Sequence, residues 1–167
     1  MLGGDELLRM QREQFRHDER NHKDILCLPK PDRLKHYGLH YAKYVGRLAR
    51  GSAEEKSNEQ TLVDVILVTL SAANTLLQDL SKADLSSKHP ASDQFDPLRV
   101  FADAMGRFAD ACEKIDHFED NHTLALNANI DVMRWLLSTA AEHKIDIHSA
   151  IKKRRAEISK RHFYITD

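Results

Sequence analysis

Two apolar segments constrain this chain more than any other feature: DVILVTLSAA at 64–73 and DVMRWLLSTA at 131–140. Each opens on a lone aspartate. They agree in register at Asp64/Asp131, Val65/Val132, Leu70/Leu137 and Ser71/Ser138. A shorter echo precedes each, GRLA at 46–49 and GRFA at 106–109, with a different spacing to the aspartate. A helix that is apolar around most of its circumference must be central and surrounded by other helices. Two such hairpins, each an outer helix followed by a central one, can pair into an all-α four-helix bundle with approximate twofold symmetry. Chance likeness between two apolar helices is the competing account of the echo.

Composition points the same way. The chain is 41% hydrophobic and 31% charged, enough apolar material for a packed core. Six glycines and four prolines are too few for a turn-rich β protein. At 167 residues it is one domain or two closely packed halves. A net charge of -1 carries no overall basic field of the kind that marks nucleic-acid binding. Cys27 and Cys112 stand without a CxxC pattern, which predicts free, packed thiols in a reducing compartment. The start, MLGGDELLRMQREQF, lacks the apolar run of a signal peptide. LVDVILVTL at 62–70 is too short to span a bilayer and contains Asp64. A soluble, cytoplasmic protein with no membrane partner is therefore expected.

Local signals divide the chain into a charged helical arm at 1–31 and one helical domain at 32–167. The arm has few large apolar groups before Ile25 and is expected to pack late or on a partner. LPKP at 28–31 predicts a stop, because proline disfavours helix in the residue before it. Asp32 can then cap a helix to about Arg50, ended by Gly51. Ser57 and Gln60 have capping-box spacing for a helix over about 59–80. KADLSSKHPASDQ reads as a loop. Asp96 before Pro97 starts a helix to about 119, with a break near Asp120–Asn121. A further helix covers about 123–143, and Asp146 caps a basic terminal helix over about 147–161. The first hairpin thus occupies about 32–81 and the second about 96–143.

The chemistry concentrates in KHYGLHYAKYVGRLARG at 35–51. At helical spacing His36, His40, Lys43, Arg47 and Arg50 form one strip with no acid in it, opposite Tyr37, Tyr41, Tyr44, Val45 and Leu48. Ordinary surface helices mix signs at i,i+4, as Asp103 does with Arg107 and Asp110 with Lys114. A one-sign strip is either a solvated face or a site for a phosphate or an acidic surface. His36 and His40 also have the spacing of two ligands on one metal, but Lys43 and Arg47 on the same line oppose a cation. Glu19–His22 and Glu119–His122 read ExxH, the ligand pattern of di-iron bundles, yet they lie off the central helices. His17–Asp18 is an HD dipeptide without the spaced partners that phosphohydrolases need.

Asp64 and Asp131 are acids within apolar helices. A buried carboxylate must be paired, hydrogen-bonded or metal-bound. Each either pairs with an outer-helix arginine, Arg47 or Arg107, or serves as a metal- or substrate-binding acid. In the terminal segment IKKRRAEISKR, Ile147, Ile151 and Ile158 make an apolar stripe beside Lys152, Lys153, Arg154, Arg155, Lys160 and Arg161. That basic end either complements the helix dipole in solvent or contacts an anion, with Lys152 and Lys153 as candidates.

The helix order, the two helices opening on Asp-Val and the ending IDIHSAIKKRRAEISKR resemble the all-α nucleoside triphosphate pyrophosphohydrolases, the MazG-like and dimeric dUTPase-like superfamily. The resemblance covers about 33–161. It implies a four-helix core built from one chain or two, so a homodimer is among the implied assemblies. It also implies magnesium held against nucleotide phosphates by E-E-x-x-E on one helix and E-x-x-D on the next. The positions similar to the first motif read Lys43-Tyr44-Val45-Gly46-Arg47 and Asp103-Ala104-Met105-Gly106-Arg107. Those similar to the second are Thr61 with Asp64 and Ala128 with Asp131. Lys43 and Arg47 reverse the field that clustered carboxylates create for Mg²⁺.

Two expectations result. The first is a nucleotide- or anion-binding protein whose phosphates meet His36, His40, Lys43, Arg47 and the 152–155 cluster that includes Lys152 and Lys153. Asp64 and Asp131 would orient those groups or hold a residual metal, with Mg²⁺ as cofactor where hydrolysis survives. The second is a non-enzymatic helical module that binds a protein or nucleic-acid partner.

Overall fold

Side-chain caps set the starts of three helices, those beginning at Asn58, Pro97 and Ile147. The computed structural model describes residues 3–85 and 96–161. Among these lie seven α-helices and no strand: α1 (Gly4–Asn21), α2 (Lys23–Leu26), α3 (Lys30–Arg50), α4 (Asn58–Leu76), α5 (Pro97–Asp116), α6 (His122–Glu142) and α7 (Ile147–Ile158). Ser57 accepts from the Gln60 N–H at 3.2 Å, and the Gln60 side chain accepts from the Ser57 N–H at 3.3 Å, closing the expected capping box on α4. Asp96 caps α5 through the Arg99 N–H, and Asp146 caps α7 through the N–H groups of His148 and Ser149. Gly51 terminates α3 at φ 52, a left-handed backbone that glycine adopts without strain.

Some boundaries differ from the sequence reading. Pro29 sits at the N-cap of α3 and Pro31 in its first turn, where a missing N–H leaves nothing unsatisfied. The helix therefore starts at Lys30 instead of waiting for Asp32. Leu77 turns left-handed at φ 58 and ends α4 about a turn early, before a short 3-10 turn at Leu80–Lys82. α5 and α7 likewise stop at Asp116 and Ile158. Most of the KADLSSKHPASDQ loop lies outside the described residues.

The core is a ring of four helices. α3 lies beside α4 and α5, and α6 lies beside the same two. α3 and α5 are thus corners of the ring, not an outer layer over α4 and α6. Tyr41, Phe101, Phe108, Ile66, Leu70, Val132, Met133 and Leu136 are fully buried inside it. Tyr41 meets Phe108 edge-on at 5.1 Å, and Phe101 stacks on Trp135 at 4.3 Å. A polar seam crosses this apolar interior. Asn129, with no exposed surface, donates to Gln78 Oε1 at 2.8 Å and to the Thr69 carbonyl at 3.3 Å. The Tyr41 hydroxyl lies 3.0 Å from Asn129 Oδ1 and 3.2 Å from Thr69 Oγ1. Three helices are tied together at the centre by groups that leave no lone donor.

Two further helices, α1 and α7, pack on α4. The arm expected to await a partner folds onto its own chain, burying Leu7 and Met10. Its polar residues explain this. α4 carries a strip of Asp64, Ser71 and Thr75 that continues at Gln78 just beyond its end, and α1 meets part of it with Gln11, Gln14 and Asp18. Gln11 donates to the Gln78 carbonyl and accepts from the Leu80 N–H, while Asn74 donates to the Gln11 carbonyl at 3.0 Å. Arg155 of α7 bridges to Gln14 at 3.0 Å, to Glu13 at 3.0 Å and to the Met10 carbonyl at 3.1 Å. No described helix is long and apolar enough to cross a membrane. Cys112 is the buried thiol expected, but Cys27 is exposed.

Removing the Tyr41 hydroxyl strands the Asn129 carbonyl in the core. Tyr41→Phe should cost about 1–3 kcal/mol. Urea unfolding should show a lower midpoint with an unchanged slope; an unchanged midpoint would mean the seam contributes nothing.

Candidate functional site

The polar strip of α4 and the basic strip of α3 meet at Asp64. Its side chain is 9% exposed and holds cations from three elements. Arg154 of α7 is bidentate, with Nε 2.6 Å from Oδ1 and a second guanidinium nitrogen 3.3 Å from Oδ2. Arg47 of α3 donates to Oδ2 at 3.2 Å, and Lys56, in the link before α4, lies 3.7 Å away. Charge-assisted, forked contacts of this kind fix side-chain geometry as well as adding energy. Asp131 has the related arrangement in the second hairpin: Arg107 at 2.9 Å and Arg134 of its own helix at 2.8 Å. The repeated Gly-Arg and Asp-Val dipeptides therefore form one Arg–Asp pair in each hairpin, the pairing account of both aspartates.

Around the Asp64 clamp opens a cleft of about 260 Å³, bounded by α1, α2, α3, α4 and α7. His36, His40, Lys43, Arg47 and Asp64, all read from sequence as candidates, line it together. Lys152 and Lys153 do not; they are exposed, and Arg154 is the cation that α7 contributes. Asp131 stays with the second hairpin, outside the cleft. Arg50 turns to Glu54 at 2.9 Å.

The sequence reading held Arg154 only as one of the 152–155 cluster and Arg161 only as part of the basic end, and it did not place Lys56, His22, Asp18, Ser71 or Gln14 in a site. Arg154 carried a signal: it falls on the Ile147, Ile151, Ile158 stripe, so its head had to be buried with that face. Ser71 belonged to the polar strip of α4. Asp18 showed only as half of an HD dipeptide, and Lys56 sat in a polar link with no periodicity.

Five lysine and arginine side chains line the cleft, Lys43, Arg47, Lys56, Arg154 and Arg161, against two carboxylates, Asp18 and Asp64. The imbalance registers on the imidazoles. Burial, and then the Lys43 ammonium, push the His40 pKa down to about 4. Its Nδ1 lies 3.2 Å from Lys43 Nζ and 3.1 Å from the Tyr44 hydroxyl. His36 is lowered by burial and by Lys43, and His22 chiefly by burial. Lys43 itself is lowered by burial and then by Arg47. Asp18 goes the other way: burial raises it to about 6 despite hydrogen bonds from Ser71 at 2.6 Å and Gln14 at 2.8 Å. A cleft with these walls is short of negative charge.

These residues do not fit a magnesium ion. Among the described residues no three His, Cys, Asp or Glu side chains converge as a ligand set. Both Asp64 oxygens already face protein cations. The His36 and His40 rings are 4.6 Å apart, but the Lys43 ammonium lies against the second of them. No family model matches the chain, and no curated protein or solved structure matches it either.

The shifted groups give a pH signature. His17 and His40 bind a proton near 6.5 when unfolded and only near 4 when folded. Between these values the unfolded chain carries the extra protons, so stability rises with pH. Asp18, near 3.8 unfolded and about 6 folded, holds its extra proton in the folded state and opposes this rise from pH 3.8 to 6. Stability measured by urea unfolding should therefore increase from pH 4.5 to 6.5. His40→Gln should flatten the rise and Asp18→Asn should steepen it; a profile unmoved by His40→Gln would contradict the assigned shift.

Proposed function

We propose that this chain is a nucleotide-binding protein of the MazG-like class that takes phosphate groups in the cleft between α1, α3, α4 and α7, without a carboxylate-held magnesium. The observation that carries the reading is the convergence of Arg47, Lys56 and Arg154 on Asp64 at one end of a concave site that Lys43 also lines. Asp64 acts as the orienting acid: it holds two guanidinium forks, leaving their remaining N–H donors for a ligand. His36 and His40, neutral in the empty cleft, become donors when a bound anion restores their basicity. Leu67, Val68 and Ile158 supply the apolar wall that an organic phosphate needs. Hydrolysis in the manner of the magnesium enzymes is not part of this proposal, because Lys43 and Arg47 stand where that chemistry requires carboxylates.

A second reading, a docking module for an acidic protein or nucleic acid, is favoured by one observation. Lys152, Lys153 and Lys160 are exposed on or just beyond α7, outside the cleft.

Thermal shift against nucleoside tri-, di- and monophosphates and tripolyphosphate, with and without Mg²⁺, tests the first reading. A ligand at 100 times its Kd should add about 2.7 kcal/mol of stability. Lys43→Ala should weaken binding about tenfold, a loss of about 1.4 kcal/mol, and Lys152→Ala with Lys153→Ala should leave it unchanged. Absence of any stabilisation by these anions would overturn the cleft reading. Loss of binding in the Lys152/Lys153 double variant alone would shift the weight to α7.

A further inference from the structure

The cleft has two chemically different ends. Along α4, Asp64 and Ser71 are seven residues apart, about 10 Å at the helical rise. At the Asp64 end lie the cations. At the Ser71 end lies Asp18, 5% exposed, lining the same cleft with Gln14 and Ser71. Leu67 and Val68 lie between Asp64 and Ser71 along α4, and Ile25, Leu26 and the rings of His22 and His36 also line the cleft.

The inner carboxylate is held in a fixed orientation. Arg155 Nε donates to Gln14 Oε1 at 3.0 Å, which turns the Gln14 amide nitrogen toward Asp18 Oδ1 at 2.8 Å. Ser71 Oγ donates to Oδ2 at 2.6 Å. Each carboxylate oxygen thus accepts one bond from the protein and keeps capacity for a second. At neutral pH the group is ionised, with a pKa of about 6, so it accepts and does not donate. A buried anion with unfilled acceptor capacity, at the far end of a phosphate-binding cleft, selects a ligand that carries two adjacent N–H donors remote from its phosphate.

We propose that Asp18, set by Gln14 and Ser71, forms a base-recognition subsite that pairs with the two adjacent N–H donors of guanine, making the ligand a guanine nucleotide. This rests on the reading of the cleft as a nucleotide site. Guanine offers a ring N–H beside an exocyclic amino group, a match for both carboxylate oxygens. Adenine offers an amino group beside an unprotonated ring nitrogen, whose lone pair faces the carboxylate. Hypoxanthine keeps the ring N–H but lacks the amino group, so it fills one acceptor only. The phosphate, sugar and base of the ligand then run in order from Arg47 and Arg154 to Asp18.

Calorimetric titration of the full chain with GMP, IMP, AMP and tripolyphosphate tests this. The wild-type protein should bind GMP at least tenfold tighter than IMP or AMP, a comparison that needs no variant. Asp18→Asn, which keeps the shape and replaces one acceptor with a donor, should reduce the GMP preference to within about twofold. Tripolyphosphate affinity should stay unchanged in that variant, while Lys43→Ala should weaken all four ligands together. If all four bind through Lys43 without discrimination, or if Asp18→Asn keeps the guanine preference, the base subsite is overturned and the phosphate site stands. If tripolyphosphate and every nucleotide fail to bind, the phosphate reading and this one fall together.

Discussion

α4 is buried almost all round, yet it carries a line of polar groups from Asp64 to Thr75, continued at Gln78 just beyond its end, that must be satisfied away from water. That requirement places three other helices. Ser71 takes Asp18 and Gln14 from α1, Thr75 takes the Tyr37 hydroxyl of α3 at 3.3 Å, and Asp64 takes Arg47 of α3 with Arg154 of α7. Leaving any one of these groups unpaired costs about 1–3 kcal/mol, more for a charge. The helices that flank α4 are therefore specified by hydrogen bonding as much as by apolar contact. The polar N-terminal segment, unpromising as core material, folds because its glutamines and aspartate match that line.

The two hairpins show how one repeated pattern reaches different ends. Both use an arginine from Gly-Arg and an aspartate from Asp-Val to join an outer corner to a central helix. Only the first acquires α1 and α7 over its face. Ser71 is consequently buried against Asp18, whereas its counterpart Ser138 is exposed. Lys56 and Arg154 add to the pair at Asp64, and a concave wall forms around it. At Asp131 the neighbouring cation, Arg134, comes from the same helix and also reaches the Asp84 carbonyl at 2.9 Å, so the pair is closed by local structure.

Like charges gathered in a concavity are a cost to the empty protein. Lys43, Lys56, His36 and His40 are all displaced toward their neutral forms by burial and by one another's company. Under the proposed reading, an anion entering the cleft would offset the repulsive part of those displacements, though not the part due to burial. This is the physical content of the acid-free strip in KHYGLHYAKYVGRLARG. A solvated strip would sit in bulk water; this one is half roofed by α1, α2 and α7, where charge is felt more strongly.

Helix type, helix order and the caps at Ser57, Asp96 and Asp146 were legible in the sequence, because periodicity and capping are decided within a turn or two of each residue. So were the central place of α4 and α6, the basic line on α3 and the need of Asp64 and Asp131 for partners, but not that α3 and α5 are equal corners of the same ring. The helix ends near Lys30 and Leu77 were less legible, since a proline in a first turn and a left-handed leucine obey geometry that composition does not display. The cleft was only half legible. Its α3 wall follows from spacing along one helix, but its floor and far wall join Gln14, Asp18, Ser71 and Arg154, residues far apart in the chain. No local periodicity relates residues on different helices, although within α7 the isoleucine stripe favours Arg154 over Lys152 and Lys153. The sequence by itself determined which helices form and which face of each must be buried. Tertiary structure alone decided that α1 and α7 close over the first hairpin, burying Ser71 while Ser138 of the second stays exposed, because docking depends on matching buried polar groups between distant segments.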